Sequence, residues 1–376
     1  MAVSVIQYLT HIEFGSGALS RLPEAIAALG IKRPLLVTDQ GLWTSGLAER
    51  IGNVLGAPPS AFCDTPPNPT EAAVESALED YRGQGCDGVI GFGGGSPIDL
   101  AKAVGLMATH DGPLEQYAAI LGGVARITPR VAPVIAIPTT AGTGSEVGRA
   151  ALITLRDGRK LGLVSPNLIP KRAICDPDLT LGLPPGLTAA TGMDALAHCI
   201  ETFLSPRDNP PADAIALDGA RRVRRYIRRA VEDGGDRTAR HEMMMAALQG
   251  GLCFQKGLGA VHSMSHPLGG LSALKLHHGT LNAILLPAVL RFNTGHVGDK
   301  YERLKQAMEL PASADLAAEI ELLNHDLRLP ATLSALGVPR DVLPGMAELA
   351  VADHSTATNP RAAGKDEFLA LLEEAF

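Results

Sequence analysis

The first half of the chain alternates short apolar runs with amphipathic helical patterns, and this alternation restricts the fold more than any other feature. Within residues 1–178, the runs PLLVT (34–38), AFCD (61–64), DGVIGFGGG and APVIAIPTT (132–140) have the composition of buried strands. Continuous apolar strands between helices are typical of a parallel sheet covered on both faces. The pattern therefore predicts an α/β domain with a doubly wound parallel sheet.

Helix starts in this half are marked by short polar side chains. Ser16 is expected to cap a helix that ends near Leu29, and Thr70 to cap the helix EAAVESALEDYRGQG. Ser96 followed by Pro97 predicts an N-cap and a first helical residue for IDLAKAVGLMAT.

The pattern changes around DPDLTLGLPPGLTAA (176–190). From there to Phe376 the sequence is helical by period and poor in strands. We predict two domains, residues 1–179 and 180–376, the second all-α.

Charge and composition exclude some partners. The net charge of -7, with no block of lysine and arginine to offset it, argues against a nucleic-acid-binding protein. The densest basic run, RRVRRYIRR at 221–229, has helical spacing and indicates a solvated face or a subunit contact.

The cysteines and the N-terminus indicate a cytoplasmic protein. Five scattered cysteines without a C-x-x-C pair fit reduced thiols. MAVSVIQYLTHIEFGSG lacks the pattern of a signal peptide, and no apolar run approaches the ~18 residues of a membrane span, so no membrane partner is expected.

Two loops rich in glycine and hydroxyl residues follow successive predicted strands: GFGGGSPID (91–99) and PTTAGTGSE (138–146). Glycines let a backbone approach a phosphate, and a helix N-terminus offers unpaired N–H groups. A tight turn explains the first loop equally well. The pair favours ligand binding, because both loops fall at the carboxyl edge of one sheet.

Asp39 ends the strand LLVTD. A carboxylate there accepts a hydrogen bond from an adenosine ribose and repels a 2′-phosphate, which favours NAD over NADP, although aspartate also ends many strands as a helix cap.

Six candidate metal-site residues, one aspartate and five histidines, lie between Thr191 and Ala283. Asp194 and His198 are four residues apart on a predicted helix, and His262 and His266 repeat that spacing. His277 and His278 precede Gly279. A lone histidine is usually a core residue, but this set indicates a divalent metal, and one carboxylate with imidazoles suits Fe²⁺ or Zn²⁺.

At this point a family resemblance becomes specific. The motifs GGGSPIDLAKA, PTTAGTGSEV, DPDLTLGLPP, TGMDALAHCIE and H-x-x-x-H-P-L-G-G…H-G-x-x-N-A resemble those of the iron-containing (group III) alcohol dehydrogenases, in the same order, over roughly residues 14–290. The resemblance implies a Rossmann-like N-terminal domain, an all-helical C-terminal domain and an active site in the cleft.

The resemblance also implies site residues. The metal ligands are Asp194, His198, His262 and His278, with His277 as the alternative to the last. His266 is implied to lie close to the nicotinamide, and we take it as a candidate for passing the proton to solvent. The implied cofactor residues are Asp39, Asn68, Gly93, Gly94, Gly95, Ser96, Asp99, Thr139, Thr140, Ser145 and Lys160.

The expected reaction is the reversible oxidation of a small primary alcohol, a diol or the alcohol of a semialdehyde by NAD, with NADP possible, and with Fe²⁺ or alternatively Zn²⁺. The substrate hydroxyl is expected to bind the metal, which lowers its pKa, and hydride then moves to the nicotinamide. We expect a homodimer or a higher homo-oligomer. The alternatives are a glycerol dehydrogenase-like or dehydroquinate synthase-like zinc enzyme of the same fold, a metal-dependent hydrolase, and a scaffold with a structural metal.

Overall fold

The computed structural model describes residues 10–271 and 273–376. The first nine residues and Ser272 lie outside the described residues. The expectation that the N-terminus is not a signal peptide falls partly on those nine residues. The chain divides into two compact units. Among the described residues, we call 10–140 together with Ser145–Leu181 the sheet unit, and Ala141–Gly144 together with Gly182–Phe376 the helical unit.

The sheet unit contains a six-stranded sheet and a separate two-stranded one. Each pair of neighbours in the large sheet is parallel, in the order β1-β8-β5-β4-β2-β3, and β6 and β7 form an antiparallel pair. The strands are β1 (His11–Phe14), β2 (Pro34–Val37), β3 (Ser60–Phe62), β4 (Gly88–Gly93), β5 (Val134–Pro138), β6 (Ala150–Thr154), β7 (Lys160–Val164) and β8 (Arg172–Cys175).

Helices cover both faces of the large sheet, as the sequence predicts. Alternate strand residues enter two separate cores: Leu35 and Val89 in one, Leu36 and Ile90 in the other. The first core is completed by α4 and α5, and the second by α1 and α3, so the doubly wound parallel sheet is confirmed. The helices are α1 (Leu22–Ala28), α2 (Gln40–Thr44), α3 (Glu49–Leu55), α4 (Glu71–Gly83) and α5 (Gly95–Met107).

Helix α4 starts as predicted, since Thr70 Oγ1 accepts the Ala73 N–H at 3.2 Å. The expected cap at Ser96 is wrong: α5 begins at Gly95 with Gly94 as N-cap. Pro97 then lies within the first turn, where the missing N–H removes no intrahelical bond.

The expected cap at Ser16 is also wrong. Gly17, with φ +80°, precedes a 3-10 turn that leads into α1. The carboxylate of Asp176 accepts the N–H groups of Gly17 and Leu19, each at 3.1 Å, and Ser16 instead bonds to Asp178. A distant carboxylate has taken over the local capping role.

Strands β1 and β8 and the β6–β7 pair are not marked by the apolar runs identified above. β1 is only partly buried at the sheet edge, and β6 and β7 alternate buried and half-buried residues. Such short strands depend on their partners for assignment rather than on their own composition.

The helical unit contains no strand among its described residues. Helix α6 contacts α7, α8 and α10 and is buried from Thr188 to Leu204, because it is apolar on nearly every side. The helices are α6 (Pro185–Leu204), α7 (Pro210–Glu232), α8 (Arg237–Cys253), α9 (Ala260–Gly269), α10 (His278–Asn293), α11 (Lys300–Ala307), α12 (Leu316–Asp326), α13 (Leu343–Ala352) and α14 (Lys365–Glu374).

Arginines of the basic run on α7 pair with acidic side chains within the helical unit. Arg222 bonds to Asp218 and Glu242, and Arg228 bonds to Asp326 on α12. These arginines therefore tie α7 to its neighbours. Among all helices of the described residues, α7 included, none has both the length and the apolar composition needed to cross a membrane.

Candidate active site

Helix α6 presents a carboxylate and an imidazole inside the helical core. Asp194 and His198 lie one turn apart and are 2% and 4% exposed. Both side chains are surrounded by apolar residues of the same helix, so their polar atoms need partners within the protein.

Three imidazoles converge on one oxygen of Asp194. The Nε2 atoms of His198, His262 and His278 lie 3.8, 3.9 and 3.7 Å from Asp194 Oδ1. Helix α9 carries His262, and His278 is the first residue of α10. The structure thus brings together four side chains from three helices.

Gly279 allows the start of α10 to lie against α6. A Cβ at this position would be 2.2 Å from the carbonyl oxygen of Ala190 and 3.2 Å from Asp194 Cβ. Only glycine leaves room for this approach, which places His278 beside Asp194.

The donor atoms fit a divalent transition metal. Protein nitrogens and oxygens bind Zn²⁺ at about 2.0–2.2 Å, so two ligand atoms of one ion lie at most about 4.2–4.4 Å apart. The three separations from Asp194 Oδ1 fall below that limit. The ligand atoms of Asp194, His262 and His278 form a three-residue cluster within 4.8 Å of one another, slightly wider than the limit for a bound ion. One carboxylate with imidazoles is a donor set suited to iron or zinc.

The contacts of Asn282 indicate which atoms of Asp194, His262 and His278 carry free lone pairs. Its Nδ2 donates to Asp194 Oδ1 at 2.7 Å and lies 3.2 Å from the Nε2 atoms of both His262 and His278. Because an amide nitrogen only donates, the atoms around it are placed as acceptors. These are the atoms that a metal would bind.

The imidazoles of His198 and His262 differ in the direction of their pKa shifts. Burial lowers the pKa of His198 to about 4, against the opposing charge of Asp194, so its ring is neutral near pH 7. Burial also lowers the pKa of His262, but the hydrogen bond from its Nδ1 to Glu201 and the charge of that carboxylate bring it above its ordinary value.

We call Asp194, His198, His262 and His278 the donor cluster. His266 lies beside it and is oriented by a carboxylate. Its ring stacks on that of His278 with centroids 5.5 Å apart, and its Nδ1 lies 2.8 Å from Asp353 Oδ2. Burial raises the pKa of Asp353, but the charge of His266 and its hydrogen bond hold it well below the usual range. The exposed His354 also stacks on the His266 ring, with ring centroids 5.6 Å apart.

His277, the alternative ligand, and the nearby Phe254 occupy different positions. His277 is the N-cap residue of α10 and is exposed, whereas its neighbour His278 faces Asp194. The ring of Phe254 packs edge-on against His198 with centroids 5.2 Å apart.

In the sheet unit, the two glycine-rich loops meet at the carboxyl ends of β4 and β5. Gly93 has φ +151°, and its carbonyl accepts the Thr139 N–H at 2.9 Å. Thr140 approaches the position of a Cβ on Gly94 to 3.5 Å. The turn residues brought together here are Gly93, Gly94, Gly95, Ser96, Thr139 and Thr140.

Asp99 and Ser145 belong to an internal network. Ser145 donates to Asp99, and Lys102 Nζ donates to Ser145 Oγ at 2.8 Å and to the carbonyls of Gly148 and Ala150. Lys102 is fully buried, which lowers its pKa. This network fixes the loop that follows Gly144.

Three further predicted cofactor residues remain. Asn68 and Lys160 contact each other, and Asp39 caps a helix. Asn68, with φ +59°, accepts a hydrogen bond from Lys160 Nζ at 2.7 Å and donates its backbone N–H to Ser96. Asp39 caps α2 by accepting the Leu42 N–H through Oδ1.

Three residues of the site are not predicted from the sequence: Glu201, Asn282 and Asp353. Glu201 lies seven residues after Asp194, on the same face of α6, so helical spacing carried a signal for it. Asp353 lies 87 residues from His266, and no sequence spacing links the two.

Comparison with known families agrees with this geometry. A model described as iron-containing alcohol dehydrogenase matches residues 10–177, and the C-terminal model of the same family matches residues 188–376. The chain belongs to the iron-containing alcohol dehydrogenase family. The resemblance inferred from the motifs is thereby confirmed.

Three relatives of this iron-containing alcohol dehydrogenase span nearly its whole length. A 4-hydroxybutyrate dehydrogenase of Cupriavidus necator is 54% identical over 99% of this chain and 100% of its own. The crystal structure of a 1,3-propanediol oxidoreductase has a TM-score of 0.93 at 37% identity, covering 99% of this chain and 100% of its own. A sulfoacetaldehyde reductase of Bifidobacterium kashiwanohense in complex with NAD⁺ has a TM-score of 0.89 at 28% identity, covering 99% of each chain.

The enzyme is therefore an oxidoreductase acting on CH–OH groups, with a metal and a nicotinamide cofactor. The Rossmann-like sheet and the helical second half match the fold of this family. Hydride transfer, rather than hydrolysis or a scaffold role, is the activity of this alcohol dehydrogenase.

Proposed function

We propose that this enzyme interconverts 4-hydroxybutyrate and its aldehyde, using NAD. The observation that carries the proposal is the 54% identity, over 99% of this chain, to a 4-hydroxybutyrate dehydrogenase. 4-Hydroxybutyrate is a small primary alcohol and the alcohol of a semialdehyde, which is a substrate class expected from the sequence.

We propose Asp194, His198, His262 and His278 as the ligands of Fe²⁺, with Zn²⁺ as the alternative. The separations of 3.7–3.9 Å from Asp194 Oδ1 support this set. When bound, the ion supplies Lewis-acid polarisation of the substrate hydroxyl. The four side chains hold its position, and Gly279 keeps their helices close.

His266 is the proposed acceptor of the alcohol proton. Asp353 fixes the ring through Nδ1, which leaves Nε2 as the atom that takes the proton, and the exposed ring of His354 stacks on the ring of His266. The variant His266→Ala should lower turnover and alter its pH profile while the metal content stays unchanged. An unaltered pH profile would remove His266 from this role.

The proposed cofactor site uses the turn from Gly93 to Ser96 for the pyrophosphate. Unpaired N–H groups at the start of α5 and the positive end of its dipole suit such a group. Thr139, Thr140 and Lys160 are proposed to contact the nucleotide, and Asn68 to orient Lys160. Asp99 and Ser145 are proposed to act mainly by holding the adjoining loop.

Asp39 is proposed to select NAD. Its Oδ1 caps α2, and its Oδ2 is the atom proposed to accept the ribose hydroxyl and to repel a 2′-phosphate. Asp39→Asn keeps an oxygen for the cap and removes the charge. It should therefore narrow the preference for NAD over NADP, measured as the ratio of kcat/KM values.

The substrate assignment is tested by a matched pair of alcohols. With the Fe²⁺- or Zn²⁺-reconstituted enzyme, the near-ultraviolet absorbance of reduced nicotinamide reports oxidation of 4-hydroxybutyrate and of 1,4-butanediol, which differ only at the far end. We expect kcat/KM to be at least about tenfold higher for the acid, equivalent to about 1.4 kcal/mol of transition-state binding. Equal values would overturn the preference for the acid, and a higher value for the diol would assign the enzyme to diols. Comparing the two metals identifies the better cofactor.

A homodimer or larger homo-oligomer and a cytoplasmic location are also proposed. Free cysteines in the described chain fit a reducing compartment. Light scattering of the purified protein tests the oligomeric state.

A further inference from the structure

The N-terminal end of helix α9, which carries His262, is capped by two side chains from distant parts of the helical unit. Its N-cap residue, Gly259, provides no side-chain cap. Instead Glu201 Oε1 accepts the Val261 N–H at 2.7 Å, and Asn359 Oδ1 accepts the Ala260 N–H at 3.1 Å. Two of the unpaired donors at the helix start are thereby satisfied.

Glycine at position 259 makes room for both acceptors. A Cβ there would lie 2.8 Å from Asn359 Oδ1 and 2.9 Å from Glu201 Oε1. A carboxylate at this place is further favoured by the positive end of the helix dipole. Glu201 is therefore fixed in position by α9 itself.

The second oxygen of Glu201 contacts the imidazole of His262. Oε2 lies 2.5 Å from His262 Nδ1, and both side chains are almost fully buried, at 3% and 1% exposure. A carboxylate accepts only, so the ring must donate Nδ1–H, and its lone pair is then on Nε2. Nε2 is the atom 3.9 Å from Asp194 Oδ1 and 3.2 Å from Asn282 Nδ2.

We infer that Glu201 is a positioning residue for the metal site, which sets both the placement of α9 and the tautomer of His262. The inference rests on the proposed ligand role of His262. Glu201 does not itself face the donor cluster. It acts through the histidine, as carboxylates behind ligating histidines do in other metal sites.

The variant Glu201→Gln separates the two roles. Its amide oxygen still accepts the Val261 N–H, but its NH₂ group then faces His262 Nδ1. The ring must accept there and carry its proton on Nε2, where the metal binds. We expect the Kd for Zn²⁺, measured on the full chain with a competing chelator, to rise about 10- to 100-fold. With ¹⁵N-labelled histidine, the protein stripped of metal should show the change of tautomer directly.

Asn359→Ala is the matched control. It removes the other acceptor at the same end of α9 and leaves the contact between Glu201 and His262 in place. We expect it to lower the melting temperature and to leave the Kd for Zn²⁺ within about threefold of wild type, well short of the loss a supporting carboxylate produces. Glu201→Asp, which keeps the charge but is too short to reach both partners, provides a second variant and should also weaken binding.

The outcomes distinguish the inference from the function on which it rests. Wild-type affinity in Glu201→Gln, or an equal loss in Asn359→Ala, would overturn the positioning role alone. A wild-type chain that binds Zn²⁺ no better than Asp194→Asn would overturn the metal site together with this inference.

Discussion

Replacing Gly279 with alanine tests whether the close approach of α10 to α6 holds the metal ligands together. The added Cβ would lie 2.2 Å from Ala190 O, whereas Cβ atoms essentially never lie within 3.0 Å of such an atom. The contact is with backbone, which no side-chain rotation can relieve. The start of α10 must therefore move away from α6 by at least 0.8 Å, the difference between these two distances.

This displacement is large compared with the tolerance of the site. If it is carried to His278, the separation between its Nε2 and Asp194 Oδ1 grows from 3.7 Å to about 4.5 Å. Two ligands of one ion lie no more than about 4.2–4.4 Å apart. We expect the affinity for Zn²⁺ or Fe²⁺ to fall at least about tenfold, and overpacking to destabilise the fold by about 1–3 kcal/mol.

Gly186→Ala on α6 is the control, because a Cβ at that position meets nothing within 4 Å. It should stabilise the protein by about 0.4–1 kcal/mol and leave metal affinity unchanged. Chelator competition and urea unfolding of the metal-free proteins measure the two effects separately. Wild-type metal affinity in Gly279→Ala would refute the argument that this helix contact sets the ligand spacing.

Three further predictions concern other parts of the chain. Lys102→Met should destabilise the protein by about 3 kcal/mol in urea unfolding and weaken NAD binding, since it leaves buried acceptors without their cation; unchanged stability would contradict the proposed network. Asp218 has a folded pKa of about 2, because hydrogen bonds from Gln249, Arg221 and Arg222 outweigh its burial, so its stabilisation is present above its unfolded value of about 3.9 and is lost as pH falls toward 2. The difference in unfolding free energy between wild type and Asp218→Asn should shrink as the pH falls from about 3.9 toward 2. A constant difference would contradict the lowered pKa of Asp218 in the folded state. Free metal at about 100 times its Kd should stabilise the wild type by about 2.7 kcal/mol relative to chelator-treated protein, and an equal response from Asp194→Asn would show that the ion binds elsewhere.

The sheet and most of its helices follow from the sequence because their signals are local. Buried strands such as β4 and β5 are continuous apolar runs, and Thr70 caps α4 through its own side chain. The family motifs add the order of the domains. These features need no knowledge of distant residues.

Predictions from local sequence were wrong or missing where a residue distant in the chain determines the structure. The cap expected at Ser16 is provided by Asp176, 159 residues away from Gly17. Strands β1 and β8 are identified by pairing with each other, and neither has a strong pattern alone. Sequence spacing carries no information on such contacts.

The sequence by itself determined which side chains are candidates for the metal: Asp194 and His198 by their helical spacing, and the pair His262 and His266 in the same way. The family resemblance favoured His278 over His277, and the tertiary structure shows the difference between them: His278 begins α10 and faces Asp194, whereas His277 is the exposed N-cap residue with an extended backbone. Only the tertiary structure decided that Glu201 reaches both His262 and the start of α9. That contact depends on how closely two helices pack around a glycine, and packing distances are not written in the order of residues.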